Sequence, residues 1–507
     1  MVNLDPAFVR YERIVSDSYK RFDTLVQDGE AKPLLVWQAL LPGILPLTAL
    51  LIPRQKGGWI WRPVLQAVTF SLCIEIMRYR RALLGGNGYI VGLMMVWWLV
   101  WSSTLLFFND AERDFRRIER VRVTDEAAQQ DGPMRKKQDG LNEVKETEML
   151  VWQPYPRSLK HRLGWAFGLV LNMRGPDFSF RISSLDPLPP QLDAKAQPEN
   201  ENYACPQARA RIKLALKRFF VTYLILDMLK TIIILDPYFF GVSGPPPFPL
   251  NHLSAFPGLI RAYHSLVSGV SVYYALLFVT ALNPIAFLGL STAFPNASRA
   301  ITKTPLDAPW LYADQFGTVS TVLDEGLAGA WGKWWHQIFR FGFVSSAKYI
   351  ISFLPTSITS RRTLRRIITT LVAFAISGTI HGAGSYTQLG EHTRPVSGTF
   401  LFFMLQGVGI FVEDICSRFV LASSAALGLG APRWLRRLGN MAFVLGWLFI
   451  SGTRIADDFA RGGMWLTEPL PFSLIRGLMG RGWLCWRIPW FEYYDDGTFW
   501  GRGLRVV

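Results

Sequence analysis

The sequence predicts an all-α, polytopic integral membrane protein with about eight transmembrane helices. Three observations carry this expectation. Apolar runs recur at the length a hydrocarbon core demands, roughly 20 residues. Half of the 507 residues are hydrophobic and only 18% are charged, and the mean hydropathy is +0.19. Aromatic residues make up 14%, with 19 Trp and 35 Phe, an excess of rings that suits a bilayer and its interfaces.

In chain order the expected spans are PLLVWQALLPGILPLTALLI (33–52), WIWRPVLQAVTFSLCIEIM (59–77), YIVGLMMVWWLVWSSTLLFF (89–108) and FFVTYLILDMLKTIIIL (219–235). They continue with SLVSGVSVYYALLFVTALNPIAFLGL (265–290), RIITTLVAFAISGTIHGAG (366–384), VSGTFLFFMLQGVGIFVEDI (396–415) and LGNMAFVLGWLFISGTRI (438–455). The shorter run at 339–355 suits an interface or a tilted crossing. Asp227 and Lys230 interrupt the fourth span at i, i+3 and are expected to neutralise each other. Glu75 and Arg78 share that spacing and that reading. The first 33 residues lack the apolar core of a signal peptide, so the first membrane helix is expected to be an uncleaved anchor.

Residues 109–148 are mixed in charge, poor in apolar residues and expected to be exposed and partly disordered; they open a long polar stretch, 109–210. Within it, 152–175 reads as an amphipathic segment lying on the membrane, with Trp152 and Trp165 at the interface. The chain thus divides into 1–108, with a tail and three membrane helices, the loop 109–210, and a core from 211 to 507. The net charge is +16. In so apolar a chain this points to a positive-inside bias and an anionic, phosphate-bearing substrate. It does not point to nucleic acid, for which no ordered basic and aromatic module is present. Cys73, Cys205, Cys416 and Cys485 are far apart with no CxxC pair, so neither a metal site nor a disulfide framework is expected.

Ionisable residues inside membrane helices are costly and therefore mark candidate sites. His381 sits in SGTIHGAGSY (377–386), and helical spacing puts Ser377, Gly378, Gly384 and Ser385 on its face. Two readings stand: close helix packing through small residues, or a proton acceptor beside a cavity wide enough for substrates. AWGKWWHQIFR (330–340) brings three tryptophans, His336, Lys333 and Arg340 together. An aromatic belt with snorkelling cations explains most of it, but not His336–Gln337 directly after a Trp pair. Gln406, Gly409 and Glu413 share a face of the next helix, where Glu413 orients a histidine or simply marks the helix end. Arg361, Arg362, Arg365 and Arg366 form a cluster expected on the cytosolic side. Arg366 lies 15 residues before His381, roughly 22 Å along a helix.

WGKWWHQIFR followed by SGTIHGAG resembles the membrane-bound O-acyltransferases, most closely their wax-synthase-like branch, which includes fungal enzymes that acylate terpenoids and related metabolites. The match covers about 305–415. The resemblance implies a buried catalytic cavity, with His381 as general base and His336 as the second hallmark residue. It implies that Trp335, Gln337, Arg340, Ser377, Ser385, Gln406 and Glu413 line the substrate site and that the arginine cluster meets the CoA phosphates. NMRG at 172–175 is similar to an upstream signature of the branch, but Pro176 and Asp177 depart from it, which leaves the role of Arg174 open. The implied reaction needs no bound cofactor and no metal. Acetyl-CoA or another acyl-CoA is the co-substrate, a hydroxylated lipophilic molecule the acceptor, and the endoplasmic reticulum membrane the location. Alternatives are a long-chain wax ester synthase, a proton-coupled transporter using His381, Glu413 and the Asp227–Lys230 pair, and an inactive structural relative.

Overall fold

The computed structural model describes residues 5–123, 147–192, 207–426 and 432–507. Residues 124–146, the greater part of the run expected to be exposed, and 193–206, which include Cys205, lie outside them. Among the described residues six helices are long and apolar enough to cross a membrane: Gly58–Tyr79, Tyr89–Phe108, Pro257–Ala293, Arg362–Thr387, Pro395–Phe419 and Arg433–Gly462. The other two expected spans are also helical. Val36–Leu51 has 16 residues and contains Pro42 and Pro46, and Ala208–Leu235 carries Asp227 and Lys230. The architecture is all-α and polytopic, trimmed by three two-stranded ladders that the sequence reading did not anticipate.

The chain divides into two compact units. The first comprises 1–109, 218–279 and 315–507. At its heart the His381 helix, Arg362–Thr387, packs on the Tyr89 helix, Tyr89–Ser103, and on Arg340–Ser352, the short run at 339–355. The helix Leu401–Ala426 covers another side of the His381 helix, and Arg433–Gly462 packs on both. The glycines beside His381 permit close approach. A methyl at Gly92 would meet the Ala383 carbonyl oxygen at 2.0 Å, and one at Gly384 would meet the Tyr89 ring at 2.9 Å. Gly378 faces Phe400 in the same way. The space the small residues leave is therefore largely filled by neighbouring helices, as small-residue packing in membranes requires.

Asp227 and Lys230 are both buried but do not pair with each other. Asp227 accepts from the Ile475 N–H at 2.9 Å and from the Ser473 hydroxyl, while Lys230 donates to the Trp465 and Thr467 carbonyls. Each charge finds partners on the segment 465–475, because along one helix turn neither could also satisfy its remaining hydrogen bonds. Glu75 likewise pairs with Arg80 at 3.0 Å, not with Arg78.

The second unit comprises 110–217 and 280–314. Part of the stretch expected to be loop forms a ladder, Arg117–Val123 antiparallel to Thr147–Gln153. Trp152 lies on this strand, and Trp165, on the helix Leu159–Leu171, is fully buried against Phe178 and Tyr155. Trp165 is therefore not the expected interfacial anchor. The exposed apolar stripe of that helix is instead Leu159, Leu163, Phe167 and Leu171, four residues apart. Arg174 is also structural: it donates to the Ala313 and Asp314 carbonyls at 3.0 and 2.8 Å. Burial pushes its guanidinium down to about 10. Asp177 pairs with Arg117 at 3.1 Å, which accounts for an aspartate after NMRGP.

Candidate functional site

The His381 helix ends where Thr387 and Gln388 grip the loop that precedes the Tyr89 helix. Thr387 Oγ1 donates to the Gly88 carbonyl at 2.9 Å and accepts from the Gly92 N–H at 2.9 Å. Gln388 Nε2 donates to the Gly86 carbonyl at 2.9 Å. The loop Gly85-Gly86-Asn87-Gly88 can follow this path because its φ angles, 74°, 78°, 56° and 92°, lie in the left-handed region that glycine and asparagine tolerate. It delivers Tyr89 to His381, the phenol oxygen lying 2.7 Å from Nδ1. Phe403 stacks on a face of the imidazole, with ring centroids 4.4 Å apart and 14° between planes. The ring is held on two sides yet remains only partly covered.

His336 arrives by a different route. The helix Ser320–Gly329 is broken at Gly326, with φ 60° and ψ −139°. It continues as a single π turn, Ala330–Trp334, a form that recurs at functional sites. Two neighbours brace this irregular backbone. Gln337 Nε2 donates to the Trp331 and Trp335 carbonyls at 3.1 and 2.6 Å, and Arg340 Nη1 donates to the Gly332 carbonyl and Gln337 Oε1 at 2.6 and 2.9 Å. Gln337 and Arg340 thus satisfy carbonyls that a regular helix would have satisfied itself. His336 packs edge-on to Phe316 and Phe339, and its Nδ1 has no hydrogen-bond partner. It lies outside the six spans. Burial pushes its imidazole down to about 4, so it is neutral at physiological pH.

The two histidines share one aromatic enclosure. Phe403, stacked on His381, has its centroid 6.0 Å from that of Trp331; Trp331 is 5.8 Å from Trp335, which is 5.5 Å from His336.

The remaining expected residues take different places. Glu413 does not mark a helix end, since its helix runs on to Ala426. It does not touch either histidine ring through any hydrogen bond described; its Oε2 accepts from the Leu327 N–H at 2.7 Å, just past the break at Gly326. Glu413→Ala leaves that buried N–H without an acceptor and is expected to cost roughly 1–3 kcal/mol. Thermal unfolding in detergent reads the loss, and Glu413→Gln, which keeps an oxygen there, should recover most of it. Gln406 Nε2 donates to Ser451 Oγ at 3.0 Å, tying two helices together, while its buried Oε1 has no partner. The Ser385 hydroxyl is buried and turned toward the Asp458 carboxylate, and Ser377 is partly exposed. Arg361, Arg362, Arg365 and Arg366 are all exposed at the start of the His381 helix. No cluster of three or more His, Cys, Asp or Glu with metal-binding geometry occurs among the described residues.

Tyr89 is the contact that sequence reasoning missed. The available signal was the glycine-rich turn directly before an apolar run. That signal marks a special loop but not what it faces.

A polytopic helical membrane protein that encloses two histidines among aromatic rings is the class these observations define. Residues 312–405, which contain both histidines, match the model of the membrane bound O-acyl transferase family. An O-Mevalon transferase of Aspergillus niger is 26% identical over 58% of this chain and 61% of its own length. One from Penicillium terrestre is 28% identical over 40% of this chain and 46% of its own. An acetyltransferase of Humicola fuscoatra is 38% identical over 34% of this chain and 36% of its own. The chain thus aligns with less than two thirds of each of these relatives. No solved structure matches it.

Proposed function

We propose that this protein is an acyl-CoA-dependent O-acyltransferase that moves an acetyl group from acetyl-CoA to a hydroxyl of a terpenoid or related secondary metabolite. The observation that carries the reading is the shared enclosure of His336 and His381 inside the family-matched segment. The transferase activities for which the relatives are named support it. In the proposed step His381 takes the proton of the acceptor hydroxyl. The oxygen attacks the thioester carbonyl, the carbon–sulfur bond breaks, and the proton leaves with the CoA thiol. Charge that develops on the thioester oxygen needs preorganised donors. Gln337 already donates to two carbonyls, so His336 and the Trp335 indole N–H are the better donors. The unpartnered Oε1 of Gln406 is free to meet a ligand.

The arginine cluster receives the CoA phosphates on the cytosolic face of the endoplasmic reticulum. Four cations at a helix start oppose the positive end of the helix dipole, and bound phosphate relieves that conflict. The O-Mevalon transferase names favour a second donor, one carrying the mevalon group.

The test uses membranes containing the protein, radiolabelled acetyl-CoA and a panel of terpenoid and fatty alcohols. Labelled terpenoid ester is the expected product. Absence of ester from acetyl-CoA, palmitoyl-CoA and a mevalon thioester alike would sink the acyltransferase reading and favour a transporter. In the same assay His336→Ala should lower turnover roughly tenfold, the scale of one lost hydrogen bond, with membrane insertion retained. Loss of insertion would give His336 a structural role instead.

A further inference from the structure

We infer that Tyr89 is a positioning residue that fixes the tautomer of His381 and so decides which ring nitrogen takes the proton. The inference rests on the proposed role of His381 as base. An imidazole can accept a proton only at the nitrogen that lacks one. The Tyr89 oxygen sits 2.7 Å from Nδ1, so Nδ1 is occupied by the phenol and the substrate must approach Nε2. Two arrangements of hydrogen fit that distance. If the phenol donates to Nδ1, Nε2 carries the hydrogen and His381 cannot act as a base there. If Nδ1–H donates to the phenol oxygen, Nε2 is bare and ready.

The surroundings of Tyr89 favour the second arrangement. A phenol that accepts from Nδ1–H must send its own hydrogen elsewhere. Asp458, 1% exposed, adjoins Phe459, the ring that Tyr89 meets edge-on. One of its oxygens accepts from the Arg394 N–H, while the buried Oδ2 has no hydrogen-bond partner. The buried Ser385 hydroxyl is turned toward this carboxylate, which still has lone pairs for a further donor. A cavity of about 300 Å³ is lined by Asp458 together with Arg394, Gly398, Arg454, Asp457 and Arg461. The order is then Nδ1–H to the Tyr89 oxygen, and Tyr89 O–H towards Asp458. The same order stabilises the imidazolium that forms when Nε2 takes the proton.

The supporting structure is built for rigidity. Tyr89 is 6% exposed, meets Phe459 edge-on with centroids 5.3 Å apart, and emerges from the loop that Thr387 and Gln388 clamp. Thr387 and Gln388 directly continue the helix that carries His381. Base and positioning residue are therefore held in one register by the same hydrogen bonds.

The test is Tyr89→Phe in the membrane-bound protein, alone and combined with His381→Ala, with labelled acetyl transfer as the readout. The expected result is a kcat about tenfold lower, with KM for acetyl-CoA unchanged, the unfolding midpoint within a few degrees, and no further loss in the His381→Ala background. Equal factors in both backgrounds, a change in KM alone, or wild-type turnover would each overturn the role given to Tyr89. Wild-type turnover by His381→Ala alone would overturn the base reading itself, which separates the two failures. Asp458→Asn serves as the second variant if Tyr89→Phe does not insert. It keeps an oxygen for the Arg394 N–H and should reproduce the fall in kcat, and full activity in it would count against the chain.

Discussion

His381→Ala is expected to lower acyl transfer by roughly 10²- to 10⁴-fold, the contribution of a well-placed general base, while the protein stays folded and membrane-inserted. The fold should survive for reasons visible around the ring. The backbone of the Arg362–Thr387 helix makes its own hydrogen bonds, and its end is held through Thr387 and Gln388 instead of through the imidazole. Removing the ring unstacks Phe403 and frees the Tyr89 hydroxyl. Both neighbours keep their other contacts, Tyr89 with Phe459 and Phe403 with Trp331 and Phe402. The measurement is initial rate of labelled ester formation in membranes normalised to inserted protein. A variant with unchanged turnover would remove His381 from the chemistry. A variant absent from the membrane would show that the ring is needed for assembly.

What the sequence could and could not reveal follows from the kind of signal each residue leaves. His381 was legible because an ionisable ring in an apolar run is costly and needs a reason. His336 was legible because a histidine and a glutamine do not belong in a plain aromatic belt. The small residues around His381 were legible as a face, since helical period alone assigns faces. Whether that face borders space or another helix depends on the partner, and here Tyr89 fills the place beside Gly384 and Phe400 the place beside Gly378. Glu413 shows the same limit: its position on the helix was readable, but the Leu327 N–H that it serves comes from 86 residues away. Asp227 and Lys230 were correctly expected to be structural, but spacing along one helix suggested a pair that the segment 465–475 in fact breaks up. Tyr89 left almost no trace, because an aromatic residue heading an apolar run is ordinary until the chain closes on it.

Glu468→Gln is expected to destabilise the protein by about 3–5 kcal/mol, the range for stripping one partner from a buried charge cluster. Glu468 meets Arg476 through two hydrogen bonds of 2.8 Å each and accepts from the Tyr11 hydroxyl at 2.7 Å. The Arg476 and Glu468 side chains are only 10% and 12% exposed. Lys230 adds its charge to the same group. The amide of glutamine keeps the shape but leaves two cations facing no carboxylate in a poorly hydrated place. Burial alone would raise the Glu468 carboxyl, yet the Lys230 and Arg476 charges more than offset it and hold the group below the usual carboxylate range. A carboxyl lowered on folding adds stability that is complete above its unfolded value, near 4.3. That stability fades as the pH falls through the lower folded value. The wild-type protein should therefore lose stability below about pH 4.3 partly through this residue, and Glu468→Gln should show a flatter acid limb. Thermal unfolding in detergent across that range measures both effects. Glu468→Leu combined with Arg476→Met should cost less than Glu468→Gln alone, because it removes one stranded cation along with the carboxylate. A double variant as damaged as the single one would mean that the cluster acts through the shape of its hydrogen bonds and not through its charge.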